Sequence, residues 1–289
     1  MLVQTDGGGL PLQGRVALVT GAGRGLGAAH ARALAAAGAA VVVNDVGASV
    51  DGLERGMAVA DGVAADVVAQ GGQAVVDHSD ISTFAGAAAA VACAMDAFGR
   101  IDIVVNNAGI VSPGTVEDIE EAALQRLLAV HLTGSVGTIR AAFPTMRAQR
   151  YGRIVNTISE AALDTRMADS AGYSSAKAAI WGLTMATAKQ GAPYGITANA
   201  VSPGALTRMS ENFLASAGQQ GSAAAALDLS PEHVSRVVVR LVAPDAADVT
   251  GRVVHAAGGQ VREYVLRRTG DTDLVRRLTT PWPQPSPSG

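Results

Sequence analysis

The sequence predicts an α/β protein built on one doubly wound parallel sheet, with helices on both faces and hence three layers. Three observations support this prediction. Short, continuous apolar segments alternate with longer Ala-rich segments of helical character, as in sheets whose strands are buried on both faces. A Gly-rich turn joins the first apolar segment to the first helix, and an acidic residue ends the second apolar segment. Hydrophobic residues make up 48% of the 289 positions and charged residues only 16%, which is enough for one large core.

The first unit is predicted to be a strand, a turn, a helix and a second strand. Its first strand covers residues 15–20, the helix covers residues 28–37 with Gly38 after it, and the second strand covers residues 40–45. In the turn, glycines let the backbone approach a pyrophosphate, and the helix N-terminus offers free N–H groups to phosphates. This is the layout of a Rossmann-type dinucleotide site, whereas a lone Gly-rich turn is also compatible with a tight turn that binds nothing. The expected contacts in the turn are Gly21, Arg24, Gly25, Leu26 and Gly27.

The acidic residue at the end of the second strand predicts which dinucleotide binds. Asp45 lies 18 positions beyond Gly27, where a carboxylate can accept hydrogen bonds from both hydroxyls of the adenosine ribose. Its negative charge would repel a 2′-phosphate, whereas the positive charge of Arg24 would attract one. Because Asp45 occupies the direct contact position, we expect the cofactor to be NAD rather than NADP.

The alternation of helices and strands continues along the chain. A helix ending near Gln70 follows a longer connection, and strands are expected at residues 74–76 and 101–105. The helix between these two strands is predicted over residues 82–98, with Ser82 as its N-cap. Each helix returns the chain to the same edge of the sheet, as parallel strands require.

The second half of the chain contains three more helical segments and three more strands. Residues 117–150 form a long amphipathic helical stretch in which Gly134, Gly137 and Pro144 are expected to produce kinks. Pro231 begins the last predicted helix. The three strands are expected at residues 153–158, 196–201 and 249–254.

An Ala-rich helix is predicted over residues 171–189, and it carries a Tyr-x-x-x-Lys pair. Tyr173 and Lys177 are one turn apart on such a helix, so their side chains share a face. A free phenol has a pKa of about 10, and an ammonium group within about 4–6 Å lowers that pKa by about 1–3 units. The pair is therefore an acid/base device where it faces a reaction site, although most pairs at this spacing are solvated surface residues.

Five motifs recur in order at the ends of the predicted strands, and together they resemble the short-chain dehydrogenase/reductase family over residues 14–260. The motifs are Thr20-Gly21-x-x-x-Gly25-x-Gly27, Asp80-Ile81, Asn106-Asn107-Ala108-Gly109, Ser159 with Tyr173 and Lys177, and Pro203-Gly204. The resemblance implies hydride transfer between a nicotinamide cofactor and a secondary alcohol. In that reaction Ser159 orients the substrate oxygen, Tyr173 takes the hydroxyl proton, and Lys177 lowers the pKa of the phenol and binds the nicotinamide ribose. The further cofactor contacts that the resemblance implies are Val46, Asp80, Ile81, Asn107, Ala108, Gly109, Val130, Tyr173, Lys177, Pro203, Gly204, Leu206 and Thr207.

Two positions depart from the family pattern. His131 stands where the family usually has Asn, 24 positions after Asn107, and it either supports a helix kink or takes part in a catalytic proton relay. Ser159 precedes Tyr173 by 14 positions, and Glu160 occupies the position at the usual spacing of 13. Because a carboxylate cannot donate a hydrogen bond at neutral pH, the role of orienting the substrate falls to Ser159.

A more specific resemblance is to the dehydrogenase domain of the peroxisomal multifunctional β-oxidation enzymes. It rests on residues 43–47 with the long loop that follows, on residues 130–132, and on the segment from Pro203 through Met209. The substrate that it implies is a 3-hydroxyacyl-CoA, whereas similar bacterial proteins act on steroid or terpenoid alcohols. Three alternatives stay open: an NADPH-dependent 3-oxoacyl reductase of fatty-acid synthesis, a non-catalytic nucleotide-responsive binding protein, and a DNA-binding regulator.

Charge and composition weigh against several classes of protein. The formal net charge of -3 provides no basic face for nucleic acid, and no apolar stretch of about 18 residues or more predicts a membrane span. The single cysteine, Cys93, excludes an intrachain disulfide and is expected to be a small core residue. We therefore expect a cytoplasmic enzyme with a small-molecule substrate, no metal, and no nucleic-acid or membrane partner.

The expected catalytic domain covers residues 14–265. Residues 1–13 are expected to be a flexible Gly-rich lead-in, residues 208–230 a mobile substrate lid, and residues 266–289 a Pro-rich tail with a disordered end. Proteins of the family that it resembles are commonly homotetramers, so we expect a homotetramer or a homodimer.

Overall fold

The computed structural model describes residues 9–53, 59–205 and 229–266. Within these residues, eight strands form one sheet. The strands are β1 (Val16–Thr20), β2 (Ala40–Asn44), β3 (Gln73–Asp77), β4 (Ile103–Asn106), β5 (Gly152–Thr157), β6 (Ile196–Gly204), β7 (Val253–Ala257) and β8 (Gln260–Tyr264). Seven α-helices in the same part of the chain flank the sheet: α1 (Gly25–Ala36), α2 (Val59–Ala69), α3 (Phe84–Phe98), α4 (Glu121–Leu128), α5 (Gly134–Gln149), α6 (Ala171–Gly191) and α7 (Pro231–Val242).

The strands follow the order β3-β2-β1-β4-β5-β6-β7-β8 across the sheet. All neighbouring strands are parallel except β7 and β8, which are antiparallel. The order reverses between β1 and β4, which is the doubly wound arrangement that places ligands at the carboxyl ends of the strands. The predicted Rossmann-type α/β sheet with helices on both faces is therefore confirmed.

The end of the sheet differs from the prediction. The sequence indicates one last strand at residues 249–254, whereas the structure has β7 and, beside it, the antiparallel strand β8. A two-residue turn joins them, and its residues Gly258 and Gly259 have positive φ angles of 53° and 77°. Tight hairpin turns require such angles, and glycine adopts them without steric cost. The Gly-Gly pair is therefore the feature of the sequence that indicates this hairpin.

The side chains of the sheet alternate between two helical layers. In β1, Ala17 and Val19 belong to the core that α1, α2 and α7 cover, whereas Val16 and Leu18 belong to the core that α3, α5 and α6 cover. Strands that are buried on both faces in this way are continuous apolar runs, which is why the sequence identifies them clearly.

A chain of buried hydrogen bonds crosses the second of these cores. Thr138 Oγ1 donates to Asn106 Oδ1 at 2.6 Å, and Asn106 Nδ2 donates to Asn156 Oδ1 at 2.9 Å. Asn156 Nδ2 then donates to Thr184 Oγ1 at 2.9 Å, and Thr184 Oγ1 donates to the carbonyl oxygen of Ile180 at 2.7 Å. The four polar side chains are at most 5% exposed. They connect α5 to α6 through the two central strands β4 and β5.

The long helical stretch in the middle of the chain is interrupted at a place that the sequence does not predict. A π-helical turn, Ala129–Thr133, separates α4 from α5. The kinks expected at Gly134, Gly137 and Pro144 are not the point of interruption, because Gly134 begins α5 and the other two residues lie inside it. The π turn contains the buried side chain of His131, and such turns are frequent at functional sites.

The start of α3 also differs from the prediction. Its N-cap is Thr83, whose Oγ1 accepts a hydrogen bond from the N–H of Gly86 at 3.1 Å. The prediction of Ser82 as the N-cap is wrong, because Ser82 belongs to the preceding turn, where its N–H donates to Asp80 Oδ1 at 3.0 Å.

Several further expectations concern the lead-in, the single cysteine, the lid and the tail, and the structure describes these parts of the chain only incompletely. Leu12, expected in a flexible lead-in, is fully buried, and its N–H donates to the carbonyl oxygen of Ala37 at 2.8 Å. Cys93, expected in the core, is half-buried and packs against the edge of the second core. Most of the expected lid and tail lies outside the described residues. No helix of the described ranges is both long and apolar enough to cross a membrane.

Candidate active site

The predicted site residues lie along one edge of the sheet, at the carboxyl ends of its parallel strands. Ser159 follows β5, and α6 carries Tyr173 and Lys177. The predicted cofactor residues follow the neighbouring strands: the Gly-rich turn after β1, Asp45 and Val46 after β2, Asp80 and Ile81 after β3, Asn107, Ala108 and Gly109 after β4, and Pro203 and Gly204 at the end of β6. Leu206 and Thr207 lie outside the described residues.

The Gly-rich turn packs directly against the end of β4. Gly21 has a φ of 62°, and a Cβ atom there would lie 2.7 Å from the Cα atom of Ala108. A Cβ atom on Gly27 would lie 2.1 Å from the carbonyl oxygen of Gly21. Asn107 Nδ2 donates to the carbonyl oxygens of Thr20 at 3.0 Å and of Gly21 at 3.1 Å. The turn can therefore adopt this shape only with glycine at these two positions.

Thr20 holds the ends of β1 and β4 together, a role that is not among those predicted for the first motif. Its Oγ1 accepts hydrogen bonds from the backbone N–H groups of Asn107 and Ala108, both at 3.1 Å. The position of Thr20 directly before the first glycine is the signal that identifies it.

Asp45 is fixed at the end of β2 by two backbone amides. Its Oδ2 accepts from the N–H of Gly23 at 2.8 Å, and its Oδ1 accepts from the N–H of Gly47 at 2.7 Å. The carboxylate is therefore tied to the Gly-rich turn and presents its negative charge beside it. Each carboxylate oxygen has a second acceptor position, which leaves room for further hydrogen bonds.

The N-terminus of α1 opens toward the same place. Its N-cap residue, Arg24, makes no side-chain capping hydrogen bond, and Gly25 is exposed with a φ of 51°. The first N–H groups of an uncapped helix are good donors to anionic groups. The close-packed glycines, the free N-terminus and the acidic residue at the end of β2 together fit the pyrophosphate and ribose of a dinucleotide.

The remaining predicted cofactor residues form the walls beside this turn. Ile81 is buried, and its Cδ1 would lie 2.3 Å from a Cβ atom on Gly134, so α5 approaches it closely. Val130 belongs to the π turn and packs beside Ile110. Pro203 and Gly204, which follow the strand predicted at residues 196–201, are the last residues of β6 and pair with β7.

The helix α6 presents the Tyr–Lys pair toward the end of β5. Ser170 is its N-cap, since its Oγ accepts from the N–H of Tyr173 at 3.4 Å and donates to the carbonyl oxygen of Ser112 at 2.8 Å. Lys177 Nζ lies 5.7 Å from the ring centroid of Tyr173 and donates to the carbonyl oxygen of Thr157 at 2.8 Å. The prediction that both side chains share one face of the helix is confirmed.

The protonation of this pair differs from the expectation. Burial lowers the pKa of Lys177 to about 7. Burial also raises the pKa of Tyr173, and a hydrogen bond with Ser159 offsets this effect only in part. In the chain alone burial outweighs the expected lowering of the Tyr173 pKa by Lys177, because removal from water disfavours the charged form of both groups, and that lowering stays a prediction for the working site.

Ser159 lies beside the phenol of Tyr173, as the strand end predicts. Its Oγ accepts from the N–H of Ala161 at 3.2 Å and thereby caps a short 3-10 turn, Glu160–Ala162. The hydroxyl hydrogen of Ser159 is free to point toward Tyr173, with which it is hydrogen-bonded.

His131 packs against Tyr173 and lies beside the segment that follows β4. The two rings are edge to face, with centroids 5.6 Å apart. Nε2 of His131 lies 2.8 Å from the carbonyl oxygen of Ile110 and 3.2 Å from its nitrogen, so the backbone holds the ring. A Cβ atom on Gly109 would lie 2.6 Å from Cε1 of the ring. Burial, and then the charge of Lys177, lower the pKa of His131 well below its usual value, so the ring is neutral at pH 7.

The fold and the site together define an α/β protein whose crevice carries a Ser-Tyr-Lys cluster next to a nucleotide-type turn. Comparison with known proteins identifies the family: the family model for short chain dehydrogenases matches residues 15–217. The chain therefore belongs to the short chain dehydrogenase family, and it is an oxidoreductase.

The relatives extend over most of the chain. It is 39% identical to a hydroxyacyl-CoA dehydrogenase of Mycobacterium tuberculosis over 86% of this chain and 79% of that protein. It is 36% identical to the peroxisomal multifunctional enzyme type 2 of Mus musculus over 94% of this chain, and spans only 35% of that enzyme. A crystal structure of a short chain dehydrogenase from Mycobacterium avium has 38% sequence identity and a TM-score of 0.78, and the match covers 90% of this chain and 88% of that one.

Proposed function

We propose that the protein is an NAD(H)-dependent dehydrogenase that interconverts a secondary alcohol and a ketone, with a 3-hydroxyacyl-CoA thioester as the first candidate substrate. The observation that carries the proposal is the cluster at the end of β5, where Ser159 is hydrogen-bonded to Tyr173 and Lys177 lies one helical turn away. The substrate class rests on the name of the bacterial hydroxyacyl-CoA dehydrogenase that the chain is similar to.

The preference for NAD rests on the charge of Asp45. Its carboxylate would accept the ribose hydroxyls, while the Gly-rich turn and the N-terminus of α1 would hold the pyrophosphate. When bound, the nicotinamide supplies the acceptor or donor of the hydride. The alternative function, that of an NADPH-dependent 3-oxoacyl reductase, would place the 2′-phosphate of NADPH beside the carboxylate of Asp45. These two negative groups would repel each other.

Ser159, Tyr173 and Lys177 each have a separate role at the substrate oxygen in this proposal. Ser159 donates a hydrogen bond to that oxygen and so orients it. Tyr173 takes the hydroxyl proton during oxidation and returns it during reduction. Because phenolate beside an amine favours the ammonium form, proton loss from Tyr173 and the positive charge on Lys177 support each other.

His131 serves in this proposal as a positioning residue. Its ring is neutral and is held by the backbone of Ile110, so it packs against Tyr173 without carrying a charge. A relay through His131 would require the ring to gain charge in a buried position, which burial disfavours. The expected homotetramer and the cytoplasmic location stay predictions.

The experiment measures NADH formation at 340 nm with hydroxyacyl-CoA, steroid and terpenoid alcohols, first with the wild type and then with Tyr173→Phe. The variant should lose at least about 10²-fold in kcat, the usual range for loss of a general acid/base, while its Kd for NAD stays unchanged. Tyr194→Phe is the matched control, because this tyrosine packs on Phe143, away from the strand ends. A Tyr173→Phe variant that keeps more than a few per cent of wild-type turnover would remove Tyr173 from the mechanism.

A further inference from the structure

A second cluster of titratable side chains adjoins Ser159 and has no part in the proposed chemistry. Glu160, the residue after Ser159, accepts a hydrogen bond from the hydroxyl of Tyr264 on β8. The same oxygen, Oε1, lies 3.6 Å from Nδ1 of His255 on β7. That nitrogen lies 3.4 Å from Oγ of Ser202 on β6. The cluster therefore links the turn after β5 to three strands on its far side.

The arrangement is not a nucleophilic triad, although it contains a serine, a histidine and a carboxylate. In such a triad the two ring nitrogens face different partners, one the nucleophile and the other the acid. Here Ser202 and Glu160 both approach the same nitrogen of His255. The cluster therefore has the geometry of a structural link between elements.

We propose that Glu160 is a positioning residue for the reaction, which holds Ser159 in place by fastening its turn to the β7–β8 hairpin. The proposal rests on the function proposed above, because it assigns to Ser159 the task of orienting the substrate oxygen.

The turn that begins at Ser159 is short and makes three hydrogen bonds within its own backbone. The N–H of Ala162 donates to the carbonyl oxygen of Ser159 at 3.0 Å, and the N–H groups of Leu163 and Asp164 donate to that of Glu160, both at 2.8 Å. A 3-10 turn of this length has poorer hydrogen-bond geometry than an α-helix and fixes little by itself. Ala162 and Leu163 pack against Ile158, Ala200 and Val253, and Glu160 supplies the polar side-chain link from the turn to the β7–β8 hairpin.

The partner on β8 is suited to a permanent hydrogen bond. Burial, followed by the hydrogen bond to Glu160 and its charge, raises the pKa of Tyr264 to about 12. The phenol therefore stays protonated over the working range of pH and always offers its hydrogen. A hydrogen bond to a charged acceptor is stronger than one between neutral groups.

The hairpin that carries Tyr264 is itself well anchored. β7 pairs along its whole length with β6, from Val253 to Ala257, and β8 pairs with β7 through five residue pairs. A contact from this hairpin to Glu160 therefore connects the loop that carries Ser159 to the rigid part of the sheet. Small displacements of a positioned group cost large factors in rate, because orientation makes up much of the catalytic effect.

The kinetic test compares Glu160→Ala, Glu160→Gln and Tyr264→Phe in steady-state oxidation of the best alcohol. Glu160→Ala and Tyr264→Phe should each lower kcat about tenfold, which is the effect of one hydrogen bond to a charged group, and leave the KM for NAD unchanged. Glu160→Gln should keep kcat within about threefold of wild type, because its amide oxygen still accepts from Tyr264. The double variant, Glu160→Ala with Tyr264→Phe, should have a kcat no lower than that of the slower single variant, because both substitutions remove the same contact.

The matched control is Glu263→Ala on the same strand, an exposed acid whose ion pair with Arg252 at 3.0 Å contributes little. It should leave kcat unchanged. Equal kcat for Glu160→Ala and wild type, or additive losses in the double variant, would overturn the proposal. So would an increase in the KM for NAD that matches the loss in kcat, because it would indicate general loosening of the site.

Hydrogen exchange of the turn provides a readout that does not depend on the reaction. The amides of residues 161–164 should exchange faster in Glu160→Ala than in wild type, by a larger factor than the amides of the central strands. Unchanged exchange at these amides would overturn the link itself. If the wild type oxidises none of the alcohols, the proposed function fails, and the exchange experiment still decides whether Glu160 holds the turn.

Discussion

In the proposed mechanism, the surroundings of Lys177 determine how the site handles a proton. Lys177 is 3% exposed, and its Nζ donates to the carbonyl oxygen of Thr157. A carbonyl dipole compensates only part of the hydration that an ammonium group loses on burial, so the pKa of Lys177 falls to about 7. A lysine with this pKa changes its charge near neutral pH. This explains in physical terms how an amine next to Tyr173 can follow the gain and loss of the phenolic proton.

In the proposed function Asp45 determines the choice of cofactor, and its substitution needs care. Replacement by Ala would remove the negative charge but would also release the N–H groups of Gly23 and Gly47. The turn would then loosen, and the binding of either cofactor would weaken. Asn keeps the size of the side chain and one acceptor oxygen, so Asp45→Asn removes the charge with the loss of only one of the two backbone hydrogen bonds.

We predict that the wild type prefers NAD and that Asp45→Asn relaxes this preference. The ratio of kcat/KM for NAD to kcat/KM for NADP should fall by about tenfold or more, because the repulsion of a 2′-phosphate by a unit charge is lost. The measurement compares both cofactors with one alcohol. Asp61→Asn is the matched control, since Asp61 is an exposed acid on α2 and its replacement should leave the ratio unchanged. A wild type that prefers NADP would contradict the prediction.

At the scale of elements, the strands and the βα turns could be predicted because their signals are local. A run of apolar residues such as Val41, Val42 and Val43 identifies a strand that is buried on both faces, and the glycines that follow β1 identify the turn. The carboxyl ends of parallel strands lie at one edge of the sheet, so the positions of Asp45 and Ser159 near the crevice follow from the order of elements.

The features that could not be predicted depend on partners far away in the sequence. The hydroxyl of Tyr264 meets Glu160, which is 104 positions earlier, and Asn106 meets Asn156 across 50 positions. The π turn around His131 likewise depends on the backbone of Ile110, 21 positions before it. Nothing in a local pattern indicates which of many polar residues will meet, because that depends on the packed arrangement of the elements.

The buried polar chain is the contact that fixes α6, and with it Tyr173, against the central strands. Asn156 is fully buried and takes part in two of its hydrogen bonds, one from Asn106 and one to Thr184. Removing one member of such a chain leaves its neighbours buried without partners, which costs more than the hydrogen bonds themselves contribute.

We predict that Asn156→Ala destabilises the protein by about 2–4 kcal/mol, from unpaired groups on Asn106 and Thr184 together with a cavity. The free energy of unfolding in urea measures the effect. Gln125→Ala is the control, because Gln125 makes only an exposed hydrogen bond to Glu121 within α4, and its loss should cost at most about 0.5 kcal/mol. A loss below about 1 kcal/mol for Asn156→Ala would show that the chain of hydrogen bonds contributes little.

On the scale of the whole molecule, each of the two helical layers buries one neutral histidine. His30 of α1 lies under α7, where its Nδ1 is 2.8 Å from Oγ of Ser235, and burial lowers its pKa to about 4. His131 lies in the other layer, and its pKa is also lowered well below the usual value. Both rings bind a proton readily only when the chain unfolds, so acid favours the unfolded state.

We predict that the protein loses stability as the pH falls from about 6.5 to about 4, and that His30 accounts for a defined share of this loss. The lowered pKa of His30 means that its contribution is fully present above pH 6.5 and is lost as the pH falls toward 4. One proton taken up on unfolding gives a slope of about 1.4 kcal/mol per pH unit, and the whole window amounts to about 3 kcal/mol. His30→Gln removes the titrating group and should make the urea-derived stability less dependent on pH by this slope. The matched control is His78→Gln, at an exposed position after β3, which should leave the slope as in wild type. If His30→Gln and wild type lost stability in parallel across this window, His30 would not be the buried neutral group that the structure describes.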